Sequence, residues 1–250
     1  METYLFDIET APSLGFYFDL WREGNIVSTE KNWYMLSFSI KKLGASKIQT
    51  FALPDFKGYK KDKEDDRLLV QKLWEFFDKG DILIGHNLDG FDVKKANARF
   101  LYHRFAPPSP YKTIDTLKVA RAKFKFDSNR LDALARSLGF GSKLPHNGFE
   151  TWKGCMLGDP KSWAIMKRYN EQDVVLLEKV YLALRPWMTN HPNVNLESRI
   201  DGCPKCGSTR VVKEGHRYTM TGVVQKYSCL DCLGWCTGKP EKLERPLTIK

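Results

Sequence analysis

Short apolar runs separated by polar turns fill the first fifty residues, and helical spacing takes over after them. Residues 2–8 (ETYLFDI) read as a buried first strand, and 33–41 (WYMLSFSIK) and 46–52 (SKIQTFA) as the next two, with Gly44 in the turn between them. The interval 11–32, with Pro12, Gly15, a cluster of aromatics and Gly24-Asn25, reads as a long loop or insertion. The charged stretch KGYKKDKEDD reads as a solvated loop. It leads into an amphipathic helix at about 65–79, where Leu68, Leu69, Leu73, Phe76 and Phe77 recur at helical spacing.

A short apolar strand, DILIGHN, follows, and then a helix from Phe91 to about Phe105 that the Pro107-Pro108 and Pro110 cluster ends. Segment 113–138 predicts two helical stretches, KTIDTLKVARAKF and DSNRLDALARSLGF, the second ended by Gly139 or Gly141. A final helix runs from about Lys161 to Trp187, with room for a break near Lys167 and with Pro186 as its stop. Strands, helix, strand and helices in this order make an α/β pattern with a mixed sheet flanked by helices. Segment 188–201 is polar and rich in Pro and Asn, as a linker is, so the expected organisation is a domain over 1–187, a linker over 188–201 and a small domain over 202–250.

Composition narrows the class. At 250 residues, 42% hydrophobic and 13% aromatic, the chain can build a packed core and is not disordered throughout. A net charge of +10 favours an anionic partner, nucleic acid before an anionic membrane. Neither a secretory leader nor an apolar run of bilayer length is visible, so the expected setting is the cytoplasm. In that reducing compartment cysteines bind metal more often than they pair.

Four acids are candidates for chemistry. Asp7 and Glu9 stand two apart on a strand, so both leave the same face of an otherwise apolar segment (Tyr4, Leu5, Phe6, Ile8). At roughly 6 Å and an effective dielectric of about 20, their repulsion is on the order of 2–3 kcal/mol, which a divalent cation would offset. Asp92 follows the DILIGHN strand at the start of a helix, near the strand edge where open α/β sheets carry their sites; it reads equally as a cap. Its neighbour Asp89 reads as a turn or N-cap residue. Tyr169 and Asp173 stand at i and i+4 on one helix face, a common pairing in ordinary helices, while Glu171 points away. His86 reads as a structural hydrogen-bonding residue.

Five of the six cysteines lie after residue 200. Cys203/Cys206 and Cys229/Cys232 form two C-x2-C knuckles separated by 22 residues, room enough for a hairpin of STRVVKEG and GVVQKYS. Together they offer one Zn²⁺ four soft ligands. A unit of about 50 residues lacks the apolar content to fold alone, and zinc coordination contributes roughly 10–16 kcal/mol. A redox C-x-x-C would need only one pair in a thioredoxin-like context. Cys236 is a spare thiol or substitute ligand, and Cys155 an isolated, buried or partly buried residue. Residues 198–250 hold 10 Lys and Arg against 5 Asp and Glu, half of the net charge of the chain. Tyr218, Tyr227 and Trp235 either stack on bases or fill a very small core.

The ordered set D-x-E (Asp7, Glu9), N-x-x-x-F-D (Asn87, Phe91, Asp92) and Y-x-x-x-D (Tyr169, Asp173) resembles the three exonuclease motifs of the DEDDy branch of the DnaQ-like, RNase H-like superfamily. That branch is similar to the proofreading domains of family A and B DNA polymerases and to RNase D. The resemblance covers about residues 1–187, and the stretch IDTLKVAR…LDALARSLGFGSK resembles the segment between the second and third motifs. FDIETAPSLG is similar to standalone exonucleases of phages and bacteria, which implies a bacterial cell or a phage-infected host. The sister branch carries a histidine five residues before the last aspartate; Arg168 stands there, which favours the tyrosine branch.

The resemblance implies an RNase H-like fold and a 3′–5′ exonuclease using two Mg²⁺ or Mn²⁺ on DNA, single strands preferred. An exoribonuclease, a structure-selective endonuclease and a non-catalytic nucleic-acid-binding adaptor remain open. In the family's scheme Asp7 bridges both ions, Glu9 and Asp173 hold the ion that binds the attacking water, Asp92 acts largely through water, and Tyr169 orients the attacking water. Thr10, Asn87 and Phe91 position the terminal nucleotides, Phe91 being equally readable as core. Asp115 stays outside the site. The C-terminal segment resembles a zinc ribbon, which would grip nucleic acid or recruit a replication or repair protein.

Overall fold

Tyr4, Leu5, Phe6 and Ile8 are all buried in strand β1 (Thr3–Thr10), so the first strand has no wholly solvent-facing side. This is the mark of a central strand covered on both faces. In the computed structural model, residues 1–18, 26–144, 148–198, 201–220 and 222–242 are described. The expected Gly24-Asn25 turn, the end of the linker at 199–200 and the tail at 243–250 lie outside the described residues. The chain divides into two compact units, Glu2–Val180 and Tyr181–Lys250 together with Met1.

In the larger unit β1 runs antiparallel to β4 (Met35–Lys42), which pairs antiparallel with β5 (Gln49–Ala52). On its other side β1 runs parallel to β6 (Ile82–Gly85), and β6 parallel to β7 (Lys112–Asp115). The sheet order is β5-β4-β1-β6-β7, a mixed sheet flanked by helices, as the α/β pattern predicts. Helix α1 (Arg67–Lys79) buries Leu69, Val70, Leu73 and Phe77. The Phe77 ring meets those of Phe6 and Phe100 edge-on, at 5.1 and 5.4 Å between centroids, and so fastens α1 to β1 and to α2 (Asp92–Tyr102). Leu68, expected on that apolar face, is exposed, and Val70 takes the buried place.

Further expectations need correction. KTID opens with a strand, β7, rather than a helix, because its β-branched Thr113 and Ile114 complete the parallel pairing with β6. Only Thr116–Lys123 is helical (α3), followed by α4 (Leu131–Ser137). The 11–32 interval is not all loop: β2 (Leu14–Phe16) and β3 (Ser28–Lys31) form a two-stranded ribbon. An additional helix, α5 (Phe149–Leu157), precedes α6 (Pro160–Leu184), which passes Lys167 unbroken and ends in a 3-10 turn at Arg185–Trp187.

The charged run is not wholly solvated either. Its last residue, Asp66, is fully buried, bonded to the Arg99 guanidinium, to His103 Nε2 at 2.6 Å and to the Met35 amide at 2.8 Å. In the smaller unit three strands, β8 (Val211–Tyr218), β9 (Gly222–Cys229) and β10 (Trp235–Lys242), pair antiparallel in the order β10-β9-β8, one strand more than the expected hairpin. Among the described residues no helix is long and apolar enough to cross a membrane.

Candidate active site

Register decides what lies next to the first two acids. Asp7 is paired across the strands with Ser39 and Glu9 with Ser37, while Phe6 faces Ile40 and Ile8 faces Phe38. Directly opposed residues share a face, so one side of this strand pair is apolar core and the other presents carboxylates beside small hydroxyls. The alternation of Ser with Phe and Ile in MLSFSIKK is thus what leaves the acids room. A register shift at Glu9/Thr10 then turns the chain out of the pairing.

Helix α6 brings Tyr169, Asn170 and Asp173 to the polar face. Ligand atoms of Asp7, Glu9 and Asp173 all lie within 4.8 Å of one another. Asp92, the first residue of α2, is buried beside them and accepts a hydrogen bond from the Ile8 amide at 3.3 Å; it stands outside that triplet of ligand atoms. Asn170 Nδ2 donates to Asp7 Oδ2 at 2.6 Å and to the Asp7 carbonyl oxygen at 3.2 Å. Lys143 Nζ donates to Asp173 Oδ2 at 2.5 Å and to the Tyr169 hydroxyl at 2.9 Å. The other oxygen, Asp173 Oδ1, is buried with no hydrogen-bond partner.

So many acids in one recess resist ionisation. Burial, then repulsion from Asp173, pushes the Asp7 carboxyl up to about 7 against the pull of Lys143 and Asn170. Burial raises Glu9 well above the usual carboxylate range, with Asp7 and Asp173 adding to it. Asp92 is raised by burial and by Asp7, Asp173 by burial against the opposing pull of Lys143. Burial works against the Lys143 charge, but Asp173 attracts it more strongly and keeps the ammonium protonated. Tyr169 is pushed up to about 12 by burial and by Asp173, so its phenol keeps its proton at neutral pH. Convergent carboxylates, a buried oxygen without a donor and raised carboxyl pKa values all fit the oxygen-ligand chemistry of hard divalent cations.

The second motif is held by a residue that the sequence left outside the site. Asp115 accepts from the amides of Asn87 at 2.9 Å, Asp89 at 3.3 Å and Leu117 at 3.0 Å, capping α3 and fixing the turn after β6 together. Asn87 adopts a left-handed φ of 64°, which asparagine tolerates better than most residues. Gly90 lies against it: a Cβ there would stand 2.5 Å from Asn87 Oδ1, so the asparagine side chain would have to shift. His86 bonds Thr116 Oγ1 at 2.9 Å and the Asn129 carbonyl at 2.8 Å, a structural role. Asp89 pairs with Lys118.

Two clefts flank the acids. One of about 670 Å³ is lined by Asp7, Asn87, Lys143, Arg121 and Arg130 among others, cations that suit a polyanion. A second, of about 310 Å³, holds Thr10 with Trp33, Lys95, Phe149 and Trp152. Phe91 is part-exposed rather than core, 5.7 Å from Lys95 Nζ.

Lys143 and Asn170 are the site residues that sequence reasoning missed. Asn170 sits inside the third motif, where only Tyr169 and Asp173 show a helical pairing. Lys143 follows Gly139 and Gly141, whose positive φ values (73° and 102°) turn the chain, and its amide is anchored on Asp132 at 2.9 Å. Two glycines closing a helix and delivering a cation are the signal that was legible.

In the smaller unit Cys203, Cys206, Cys229 and Cys232 converge, and Cys236 stands outside the cluster. The pairs Cys203–Cys232 and Cys206–Cys229 lie 3.6 and 3.7 Å apart at sulfur. These separations are far too long for disulfides. They match the edge of a tetrahedron with metal–sulfur bonds of about 2.3 Å, which is close to 3.8 Å. Burial works against the Cys229 thiolate, but the amides of Cys232 and Asp231 and the neighbouring thiols bring it down to about 7. Cys155 is buried and belongs to neither group of candidate ligands.

Comparison with known proteins supports the fold. The RNase_H_2 model of the RNase_H superfamily matches residues 16–185, a span that includes Asp92, Tyr169 and Asp173 and begins after Asp7 and Glu9. The family B DNA polymerase from the hyperthermophilic archaeon Pyrobaculum calidifontis has a similar fold, with a TM-score of 0.50 at 17% identity over 74% of this chain. The matched part is 25% of that polymerase, so this chain spans about a quarter of its length. No curated protein sequence matches the chain.

Proposed function

This chain belongs to the RNase_H superfamily, and from that premise we propose that it is a metal-dependent nuclease that removes nucleotides from the 3′ end of DNA, acting on single strands in preference to duplex. What carries the reading is the convergence of Asp7, Glu9 and Asp173 ligand atoms within 4.8 Å, with Asp173 Oδ1 buried and unsatisfied. The order of the three motifs and the tyrosine four residues before Asp173 support the DEDDy form of the reaction.

In this reading Asp7, Glu9 and Asp173, with Asp92 beside them, would hold two Mg²⁺ or Mn²⁺ ions. Bound divalent cations supply Lewis acidity towards the phosphate and lower the pKa of water to yield a nucleophile. Asn170 holds the Asp7 carboxylate in place by donating to its Oδ2. Tyr169, protonated, donates a hydrogen bond and orients the attacking water rather than removing its proton. Lys143 orients Asp173 and Tyr169 together and brings a fixed positive charge to a site that must accept a phosphodiester. Thr10 in the smaller cleft and Asn87 in the larger would position the terminal nucleotides, together with the part-exposed Phe91. The four clustered cysteines would hold one structural Zn²⁺.

End-labelled single-stranded DNA, duplex DNA and RNA, each incubated with the protein and Mn²⁺ beside an EDTA control, test the proposal. Stepwise shortening of the single-stranded DNA from its 3′ end, abolished by EDTA, is expected. Internal cuts overturn the exonuclease assignment, and a preference for RNA overturns the sugar assignment.

A further inference from the structure

Within the smaller unit, a groove of about 500 Å³ opens among the Arg185–Trp187 turn, the residues after it and the face of strands β9 and β10. Its volume lies in the range of ligand sites, roughly 300–1,000 Å³. Two indoles line it, and both are largely solvent-exposed: Trp187 at 60% and Trp235 at 54%. Large aromatic side chains are rarely left in water on a small unit that needs every apolar contact for its core. Trp235 was one of the aromatics with two readings, and its exposure removes it from the core.

Charge gives the groove a sign. Lys205, Arg217 and Lys226 line it, and among the described residues that line it there is no carboxylate. Lys226 Nζ sits 5.5 Å from the Trp235 ring centre, so a cation and a stacking surface are presented side by side. Lys205 is held in place by its ammonium bonding the Pro186 carbonyl at 2.5 Å. An acidic peptide would satisfy the cations and leave the indoles idle; an apolar peptide would do the reverse. A polyanion that carries a flat π-face on every repeat uses both.

We propose that this groove binds a short single-stranded stretch of nucleic acid, with bases stacking on Trp187 and Trp235 and backbone phosphates meeting Arg217 and Lys226, while the buried Lys205 adds positive charge behind them. Stacking without base-edge readout makes such a site tolerant of sequence. The inference goes beyond the catalytic reading and rests on it only in taking nucleic acid as the polyanion.

The test uses the full-length protein in an Asp7→Ala background, with a fluorescein-labelled oligothymidylate titrated by anisotropy over a series of salt concentrations. Trp235→Ala should weaken binding about tenfold, and Trp235→Phe should keep most of it. Lys226→Gln should lower the slope of log affinity against log salt by about 0.7, the share of one phosphate contact on a single strand. All three should keep one equivalent of zinc by metal analysis, which separates lost contact from lost fold. In the otherwise wild-type protein the same substitutions should leave hydrolysis of the p-nitrophenyl ester of thymidine 5′-monophosphate unchanged, since that small ester needs only the carboxylate site. Oligonucleotide affinity and salt slope equal to the parent's in both Trp235→Ala and Lys226→Gln overturn the proposal, as does a parent that does not bind the oligonucleotide. Absence of ester hydrolysis in the wild type instead overturns the catalytic reading and leaves the groove standing.

Discussion

Asn170 Nδ2 stands 2.6 Å from Asp7 Oδ2, joining the long helix α6 to the first strand at the carboxylate itself. The same amide nitrogen also reaches the Asp7 carbonyl oxygen, so both of its protons are spent on one residue. Its own oxygen faces Ser37 Oγ at 3.5 Å, on the strand opposite. An acceptor in place of that nitrogen would repel the acid it now holds.

Asn170→Ala should therefore cost about 1–2 kcal/mol of stability by urea denaturation. It should also reduce nuclease activity roughly 10–100-fold at limiting Mg²⁺, the usual penalty for freeing a ligand from its supporting bond. Asn170→Asp, which adds a further carboxylate, should do worse than Ala on activity. Equal activity of Asn170→Asp and wild type would refute the role.

Lys143 offsets the charge of Asp173, Asp7 and Glu9. Its removal lets those acids keep their protons to higher pH. In Lys143→Met the acid limb of the profile of kcat/KM against pH should move upward by about one unit, since the carboxylates must ionise before they hold a metal. Lys143→Arg should leave it near its original place. An unchanged limb in Lys143→Met would exclude the lysine from the electrostatics of the site.

Without metal, the acids make stability fall as pH rises. The folded-state value of Asp7, about 7, exceeds its unfolded value of about 3.9, so between these pH values the unfolded chain has lost a proton that the folded chain retains. The Asp7 penalty grows from about pH 4 and is fully developed above pH 7, and Glu9 and Asp92, which are also raised, add to it. Added Mg²⁺ should consequently raise the melting temperature more at about pH 8 than at about pH 5. Equal gains at both pH values would contradict the metal assignment.

Asp66 carries a different kind of load. It is the buried counter-charge of Arg99 and also bonds His103 and the Met35 amide. Asp66→Ala should destabilise by about 3–5 kcal/mol in chemical denaturation, because it leaves a guanidinium buried without its counter-charge. Glu64→Ala, which breaks the exposed pair with Lys31, should cost no more than about 1 kcal/mol.

The contrast between those two acids shows where the sequence is legible. Glu64 and Asp66 sit in one charged run, and nothing in local pattern separates the solvated acid from the buried one; the partner of Asp66 is 33 residues away in sequence. Asp7 and Glu9 could be read because strand geometry alone fixes their common face, and because acids in an apolar strand are costly. The pairing of Asp173 with Tyr169 is common in ordinary helices, so Asp173 could be read only through the order of the three motifs. Asn170 and Lys143 act through contacts made across 163 and 30 residues, which periodicity does not encode. Strand β7 was hidden for a related reason: its pairing with β6 outweighs the helical spacing that KTID shares with the residues after it. The knuckle cysteines needed no tertiary knowledge, since a C-x2-C turn presents both thiols locally.

The most direct test of the central claim is a single-turnover measurement on end-labelled single-stranded DNA at saturating Mn²⁺, comparing wild type with Asp7→Ala and Asp173→Asn. If these acids hold the catalytic ions, both variants should lose at least about a thousandfold in the rate of 3′-nucleotide release while keeping the zinc content and melting behaviour of a folded chain. Rates within about tenfold of wild type in either variant would contradict the account.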